Sequence, residues 1–233
     1  MMATTHALAG VVLGTAVWAL VPEAGMLPVL AAATTHALAG VVLGTAVWAL
    51  VPEAGMLPVL AAALGGLFPD FDLYAGHRKT LHFPVYFSAL AVPAVAVAAL
   101  NPTTTTLAVA LFLAAAALHS ASDVLGGGLE LKPWLGTSER AVYDHWNGRW
   151  LAPKRLIRYD GAPEDLALTL AFAVPPVLVF DGLAETLVIA AVAVSGVYVL
   201  LRKPMVAIAE TAVAAMPDHV VDLMPERFVR DFR

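Results

Sequence analysis

The sequence predicts an all-α fold, a polytopic transmembrane helical bundle of about six core spans. Three observations point there. Of 233 residues, 60% are hydrophobic and only 13% charged, whereas soluble domains carry about 45–50% and about 25%. Mean hydropathy is +0.80. The apolar residues fall in long runs, several near the roughly 17–25 residues of a bilayer-crossing helix, broken by short Pro, Gly and Asn turns. The same composition excludes disorder, which needs low hydrophobicity and high charge. With no cysteine in the chain, thiolate metal sites, cysteine nucleophiles, iron–sulfur clusters and a disulfide scaffold are ruled out. A net charge of −5 argues against a nucleic-acid partner.

The spans follow in order. The first covers Ala37 to Val51 and ends at the turn Pro52-Glu53-Ala54-Gly55. The second runs from Met56 to Phe68 and stops at Pro69. The third runs from Phe83 to Leu100, and Asn101-Pro102 with four threonines makes the next turn. The fourth runs from Leu107 to about Val124. Residues 166–201 form a helical hairpin, Leu166 to Phe180 and Leu183 to Leu201, joined by Asp181-Gly182. A polar loop occupies 126–165 and a mixed tail 202–233, in which Met205 to Met216 reads as an interfacial helix.

Residues Ala3–Ala32 recur without a change as Ala33–Ala62. Structural repeats diverge, so an unaltered copy reads as a recent tandem duplication or an artefact, not a solenoid. The second copy leads directly into Leu64–Asp72 and is taken as the working one, so the membrane core spans 33–125. The first copy, 3–32, adds one hairpin and leaves the orientation of the rest unchanged. It lacks the basic start of a signal peptide.

All 13 basic residues fall on one side of the six-span arrangement, between spans two and three, between spans four and five, and after span six. Positive charge stays inside, so that side is cytoplasmic and the chain is a multi-pass protein of the cell membrane. Gly40 and Gly44 form a small-xxx-small pattern, either a packing face within one subunit or a dimer interface. The oligomeric state is left open.

Ionisable groups at membrane depth cost about 2.5–3.5 kcal/mol each and are usually paired or functional. Here they cluster. His36 opens span one, Asp70 and Asp72 close span two, His77 and His82 precede span three, and His119 and Asp123 close span four. In this topology every one lies at a cytoplasmic helix end. His119 and Asp123, at i and i+4, share a helical face. Four imidazoles and three carboxylates suit zinc first, with manganese or iron as alternatives. Such ions lower the pKa of bound water and clamp phosphoryl oxygens. Each group alone also has a plainer reading: a solvated interfacial His, a carboxylate paired with Arg, or, for Arg78 and Lys79, positive-inside anchors.

The set of His36, Pro69-Asp70-Phe71-Asp72, His77-Arg78 followed by His82, and His119 followed by Asp123 resembles the YdjM-like family. Its members are described as LexA-binding, inner-membrane-associated, metal-dependent hydrolases. The match extends from His36 to Pro133, including Gly126-Gly127-Gly128 and Lys132-Pro133-Trp134. The family pattern in turn distantly resembles zinc-dependent phospholipase C and P1-type nucleases. The resemblance implies that His36, Asp70, Asp72, His77, His82, His119 and Asp123 are metal ligands or catalytic groups. Asp72 and His82 are the catalytic candidates, Asp72 as a general base where it is not a ligand. The chain departs from the pattern at Phe83, where serine is usual, and at Lys79-Thr80-Leu81, where the family has a glycine-containing linker.

In the polar loop, Trp134, Trp146 and Trp150 read as interfacial anchors. The other reading is a lid, with Asp144 or His145 as an extra ligand or acid–base group and Arg140 or Arg149 on a substrate phosphate. Glu130 and Glu139 are lesser candidates, and His219 reads as part of a solvated tail. The expected function is a membrane-bound, metal-dependent hydrolase acting through a metal-activated water on a small phosphoester or lipid headgroup. Its one expected macroscopic partner is the lipid bilayer. The rivals are a non-enzymatic protein with a structural metal or a partner-binding surface, and a cation transporter. A transporter requires polar groups through the midplane, and the apolar spans do not supply them.

Overall fold

The computed structural model describes residues 26–222. The molecule is mostly helical. The helices are α1 (Met26–Leu50), α2 (Leu57–Leu67), α3 (Leu73–Gly76), α4 (Pro84–Leu100), α5 (Thr104–Ser122), α6 (Pro163–Val179), α7 (Leu183–Ala214) and α8 (Asp218–Val221). Short 3-10 turns follow α2 at Phe68–Asp72 and α5 at Asp123–Leu125. One antiparallel hairpin, β1 (Val142–Asp144) with β2 (Arg149–Leu151), lies in the polar loop, with Tyr143 opposite Trp150.

Local sequence explains the boundaries. Prolines stand at the start of α4 and α6, where the missing N–H costs nothing. Glu164 and Asp165 sit in the first turn of α6, favourably placed against the helix dipole. Thr103 caps α5, its side chain accepting from Thr106 N while Thr106 Oγ1 accepts from Thr103 N. This reciprocal cap satisfies two otherwise unpaired donors.

α2 is the central element, packed between α1 and α5, with α4 on the far side of α5 and the α6–α7 pair against α1. Glycine makes this closeness possible. A Cβ at Gly40 would collide with the Ala62 carbonyl, one at Gly44 with Val59, and one at Gly65 with the Phe112 carbonyl. The Gly40/Gly44 pattern is therefore a packing face within the chain. Around Phe68, edge-to-face contacts with Phe87 and Phe112 tie the end of α2 to α4 and α5.

Among the described residues, three helical stretches are long and apolar enough to cross a membrane: Ala33–Leu50, Thr104–Leu125 and Leu183–Ala214. α4 is apolar but has 17 residues. Large hydrophobic side chains stand exposed along the outer faces, among them Leu90 and Val92 on α4, Leu178 on α6, and Leu187 and Leu200 on α7. Exposed apolar side chains in this number suit contact with lipid.

Two boundaries differ from expectation. The expected N-terminal hairpin of 3–32 lies mostly outside the described residues, but residues 26–32 form the start of α1, continuous with the second copy. The expected break after Leu201 is absent, because α7 continues through Arg202 and Pro204 to Ala214. Arg202 is buried in that helix, its guanidinium over the Trp134 ring, and the Lys203 ammonium lies over Trp134 and Tyr159. Cation–π contacts on the polar loop hold these residues in helix rather than in a free tail.

Candidate metal centre

All seven expected residues come together at one end of the bundle. His36 projects from α1, Asp70 and Asp72 from the turn after α2, His77 and His82 from the loop before α4, and His119 and Asp123 from the end of α5. Asp70, Asp72, His82, His119 and Asp123 are all buried. His36 and His77 keep side-chain exposures of 20% and 26%, so they form the wetter rim.

The inner group consists of four donor atoms. His82 Nε2 lies 3.6 Å from Asp70 Oδ1 and 3.1 Å from Asp123 Oδ2. His119 Nε2 lies 3.4 Å from Asp70 Oδ1 and 3.9 Å from Asp123 Oδ2. Ligands about 2.1 Å from a tetrahedral ion are about 3.4 Å from one another, so these His–Asp separations are in the range that an ion's ligands adopt. Two of these atoms, His82 Nε2 and Asp123 Oδ2, are buried and face each other at 3.1 Å, with no hydrogen-bond partner beyond the cluster. A bare imidazole lone pair facing a carboxylate oxygen in a buried site is costly, so this contact needs either a proton or a cation between the two atoms. The donors Asp70, His82 and His119 all lie within 4.8 Å of one another, as do those of His36, His119 and Asp123, and those of Asp72, His77 and His82.

Behind the donors lies a supporting layer that fixes which ring nitrogen is free. His119 Nδ1 donates to the Gly66 carbonyl at 2.5 Å, leaving Nε2 toward the centre. Gly66 is glycine because a Cβ there would meet the His36 carbonyl. His82 Nδ1 donates to Asp72 Oδ2 at 2.9 Å, again leaving Nε2 inward. The His36 ring stacks on His119 with centroids 3.9 Å apart and planes at 17°, and His36 Nε2 lies 3.1 Å from Ser122 Oγ.

Asp72 departs from its expected role. Its two oxygens accept from His77 Nδ1, His82 Nδ1 and the backbone N–H groups of Arg78, Lys79 and Leu81, at 2.9 to 3.3 Å. Those five donors use up the roughly four lone-pair sites of a carboxylate. Asp72 therefore has no vacant lone pair for a general base to use, and it orients His82 instead. Burial favours its neutral form, but the hydrogen bonds from His77 and His82 outweigh that and hold the carboxyl below the usual range.

Arg78 is the residue that sequence reading undervalued. Instead of a solvated anchor it is buried, with Nη2 donating to Asp160 Oδ2 at 2.9 Å, Nη1 to the Gly127 carbonyl at 2.8 Å, and Nε 3.6 Å from Asp123 Oδ2. Burial opposes its charge, but Asp123 and Asp160 raise its pKa above the ordinary value. Its backbone φ of 58° lies in the left-handed region that costs a non-glycine residue energy, so the surrounding contacts hold it there. Its place between His77 and His82 was the only sequence signal. Asp160 gave none.

The polar loop completes the enclosure. Backbone bonds from Lys154 to Val124, Arg155 to Gly126 and Leu156 to Leu125 return the chain to the end of α5 and deliver Asp160. The β hairpin lies against the loop carrying the histidines, with Tyr143 N donating to the Arg78 carbonyl and His145 Nε2 to the Lys79 carbonyl. Asp144 is spent on its own turn, accepting from Trp146 N, Asn147 N and Asn147 Nδ2. Neither Asp144 nor His145 joins the donors, which corrects their reading as extra ligands. Arg140 and Arg149 are exposed, with Arg140 over the Trp150 ring. Glu130 accepts from Thr137 N and Ser138 N, Glu139 lies 3.4 Å from Arg155, and His219 is exposed in α8.

The α6–α7 pair fixes the register of α1 beside the centre. Thr35 Oγ1 donates to Asp165 Oδ1 at 2.8 Å and lies 2.7 Å from Thr169 Oγ1. The other Asp165 oxygen accepts from Gly161 N at 2.8 Å. No protein-family model, curated protein or solved structure matches the chain.

Proposed function

We propose that this chain is a multi-pass protein of the cell membrane whose buried His/Asp centre binds a divalent cation, zinc before manganese or iron, and hydrolyses a phosphoester. The observation that carries the reading is the buried cluster of His82, His119, Asp70 and Asp123, whose inward donor atoms stand 3.1 to 3.9 Å apart in the four His–Asp contacts. Asp70, His82, His119 and Asp123 would hold it, with His36 at the exposed flank. When bound, such a cation makes water a nucleophile at neutral pH and polarises a phosphoryl oxygen.

The protein's own groups do the rest. Gly66 and Asp72 keep the protons of His119 and His82 on Nδ1, so both Nε2 lone pairs face the centre. Arg78 offsets the charge of Asp123 and Asp160. The segregation of all 13 basic residues supports six spans with the centre facing the cytoplasm. Kinship with the YdjM-like family is part of the proposal and rests on the motif residues.

The test is metal content by inductively coupled plasma mass spectrometry on purified, detergent-solubilised protein, with His119→Ala and Asp70→Ala. Stoichiometric metal in the parent, lost in both variants, is expected. A folded, metal-supplemented parent without metal would sink the reading.

A second reading has its own observation. Four protein donors are enough to close a tetrahedral shell, as in structural zinc sites, which would staple the helix ends together or brace a partner-binding surface. Cobalt-substituted protein separates the two. Inorganic phosphate perturbs the visible spectrum of an open centre and leaves a closed one unchanged.

A further inference from the structure

A cavity of about 240 Å³ opens between α1, α5 and α6 directly beside the centre. His36, Ser122 and the carboxylates Asp123, Asp160 and Asp165 line its polar part, so an anionic group could enter only toward a bound cation. His36 Nδ1 is buried without a hydrogen-bond partner, and Asp123 Oδ2 faces His82 Nε2 at 3.1 Å on the side of the centre. Ala39, Leu118, Leu125, Leu168 and Phe172 supply an apolar wall. Leu118 and Leu125 are 44% and 39% exposed, and both belong to the membrane-length stretch Thr104–Leu125. The wall therefore continues onto the lipid-facing exterior.

We infer that this cavity is the chain-binding subsite of an amphiphilic phosphoester, whose polar end points to the cation site beside His36 and Asp123 and whose hydrocarbon lies along Leu118, Leu168 and Phe172. The inference rests on the hydrolase reading and names its substrate class as a long-chain phosphoester that arrives sideways from the bilayer. Size supports a partial fit. Cavities that enclose a whole drug-sized ligand run from about 300 to 1,000 Å³, so this one takes the head-proximal part of a larger molecule and leaves the remainder in lipid. Polarity supports it too. A small water-soluble phosphoester has no hydrocarbon to set against an apolar wall, while a chain already in lipid passes onto one without meeting water. The Thr35–Asp165 hydrogen bond of 2.8 Å locks α6 to α1 and keeps the wall next to His36.

The test uses full-length, zinc-loaded protein in detergent and a phosphatidic acid carrying a diazirine near the head end of one acyl chain. Labelled peptides are mapped by mass spectrometry. Two variants narrow the cavity without touching a donor, Ala39→Phe from inside and Leu118→Trp at its half-exposed mouth. Labelling should concentrate on 118–126 and 165–172, and it should fall about tenfold or more in either folded variant. Excess dioleoyl phosphatidic acid should compete and glycerol phosphate should not. Labelling spread over α4 and α7 and unchanged in both variants would overturn the inference. Equal competition by glycerol phosphate would also overturn it, in favour of a headgroup-only, soluble substrate. Zinc content, read on the same samples, tests the metal centre separately.

Discussion

Asp72 Oδ2 lies 2.9 Å from His82 Nδ1, and this contact decides which nitrogen of the buried imidazole is left for a ligand. The carboxylate is itself pinned by three backbone N–H groups and His77. The result is a carboxylate–histidine pair of the kind that orients metal ligands from behind.

Asp72→Asn should therefore weaken zinc binding about 10–100-fold while keeping its stoichiometry. Chelator competition with a zinc-sensitive dye measures both. Complete loss of the ion, as expected for His119→Ala, would make Asp72 a ligand.

Proton and metal compete for the same place. Burial disfavours the His82 cation, but Asp123, Asp70 and Asp72 raise its pKa from 6.5 to about 11 in the metal-free site. A raised pKa in the folded state stabilises the fold fully below the unfolded value. In the metal-free protein that stability should be lost as pH rises from 6.5 through about 11. Thermal melts across that window check the sign. Metal has the opposite dependence, since a ligating imidazole must shed its proton. Zinc affinity should rise with pH, and calorimetry in buffers of different ionisation enthalpy should show protons released on binding.

Arg78 holds Asp123, Asp160 and the Gly127 carbonyl with one planar fork. Lysine keeps the charge but not the fork. Arg78→Met, which strands the buried Asp123 carboxylate, should lose about 3–5 kcal/mol, and Arg78→Lys should fall between it and the parent. Unfolding in mixed micelles ranks the three. Equal stability of Arg78→Met and the parent would return Arg78 to the role of a surface anchor.

Glycine substitution separates close packing from helix propensity. At Gly65 an added methyl meets the Phe112 backbone, whereas at Gly196 it meets nothing within 4 Å. Gly65→Ala should cost about 1–3 kcal/mol through overpacking. Gly196→Ala should be neutral or stabilising by up to about 1 kcal/mol. Melting temperatures of the two variants make the comparison.

Helical character, the apolar runs and the gathering of His and Asp at helix ends were legible in the sequence, because each depends on local order. The repeated small residues showed that α1 comes close to something, but not what. The structure answers with the Ala62 backbone, so the face is internal. The reading of Asp144 failed because its nearest donors are two and three residues away, and a local turn captures a carboxylate before a distant site can.

The sequence by itself determined which chemistry is available: imidazole and carboxylate donors without thiol, held at the ends of strongly apolar helices. The tertiary structure alone decided who does what with it. Asp72 stands behind His82, Arg78 is drawn inward, and Asp160 arrives from 82 residues further along the chain. The physical reason is that ligand geometry depends on tenths of an ångström between segments far apart in sequence. Those separations are set by backbone contact at glycines such as Gly65 and Gly66, which composition and periodicity do not encode.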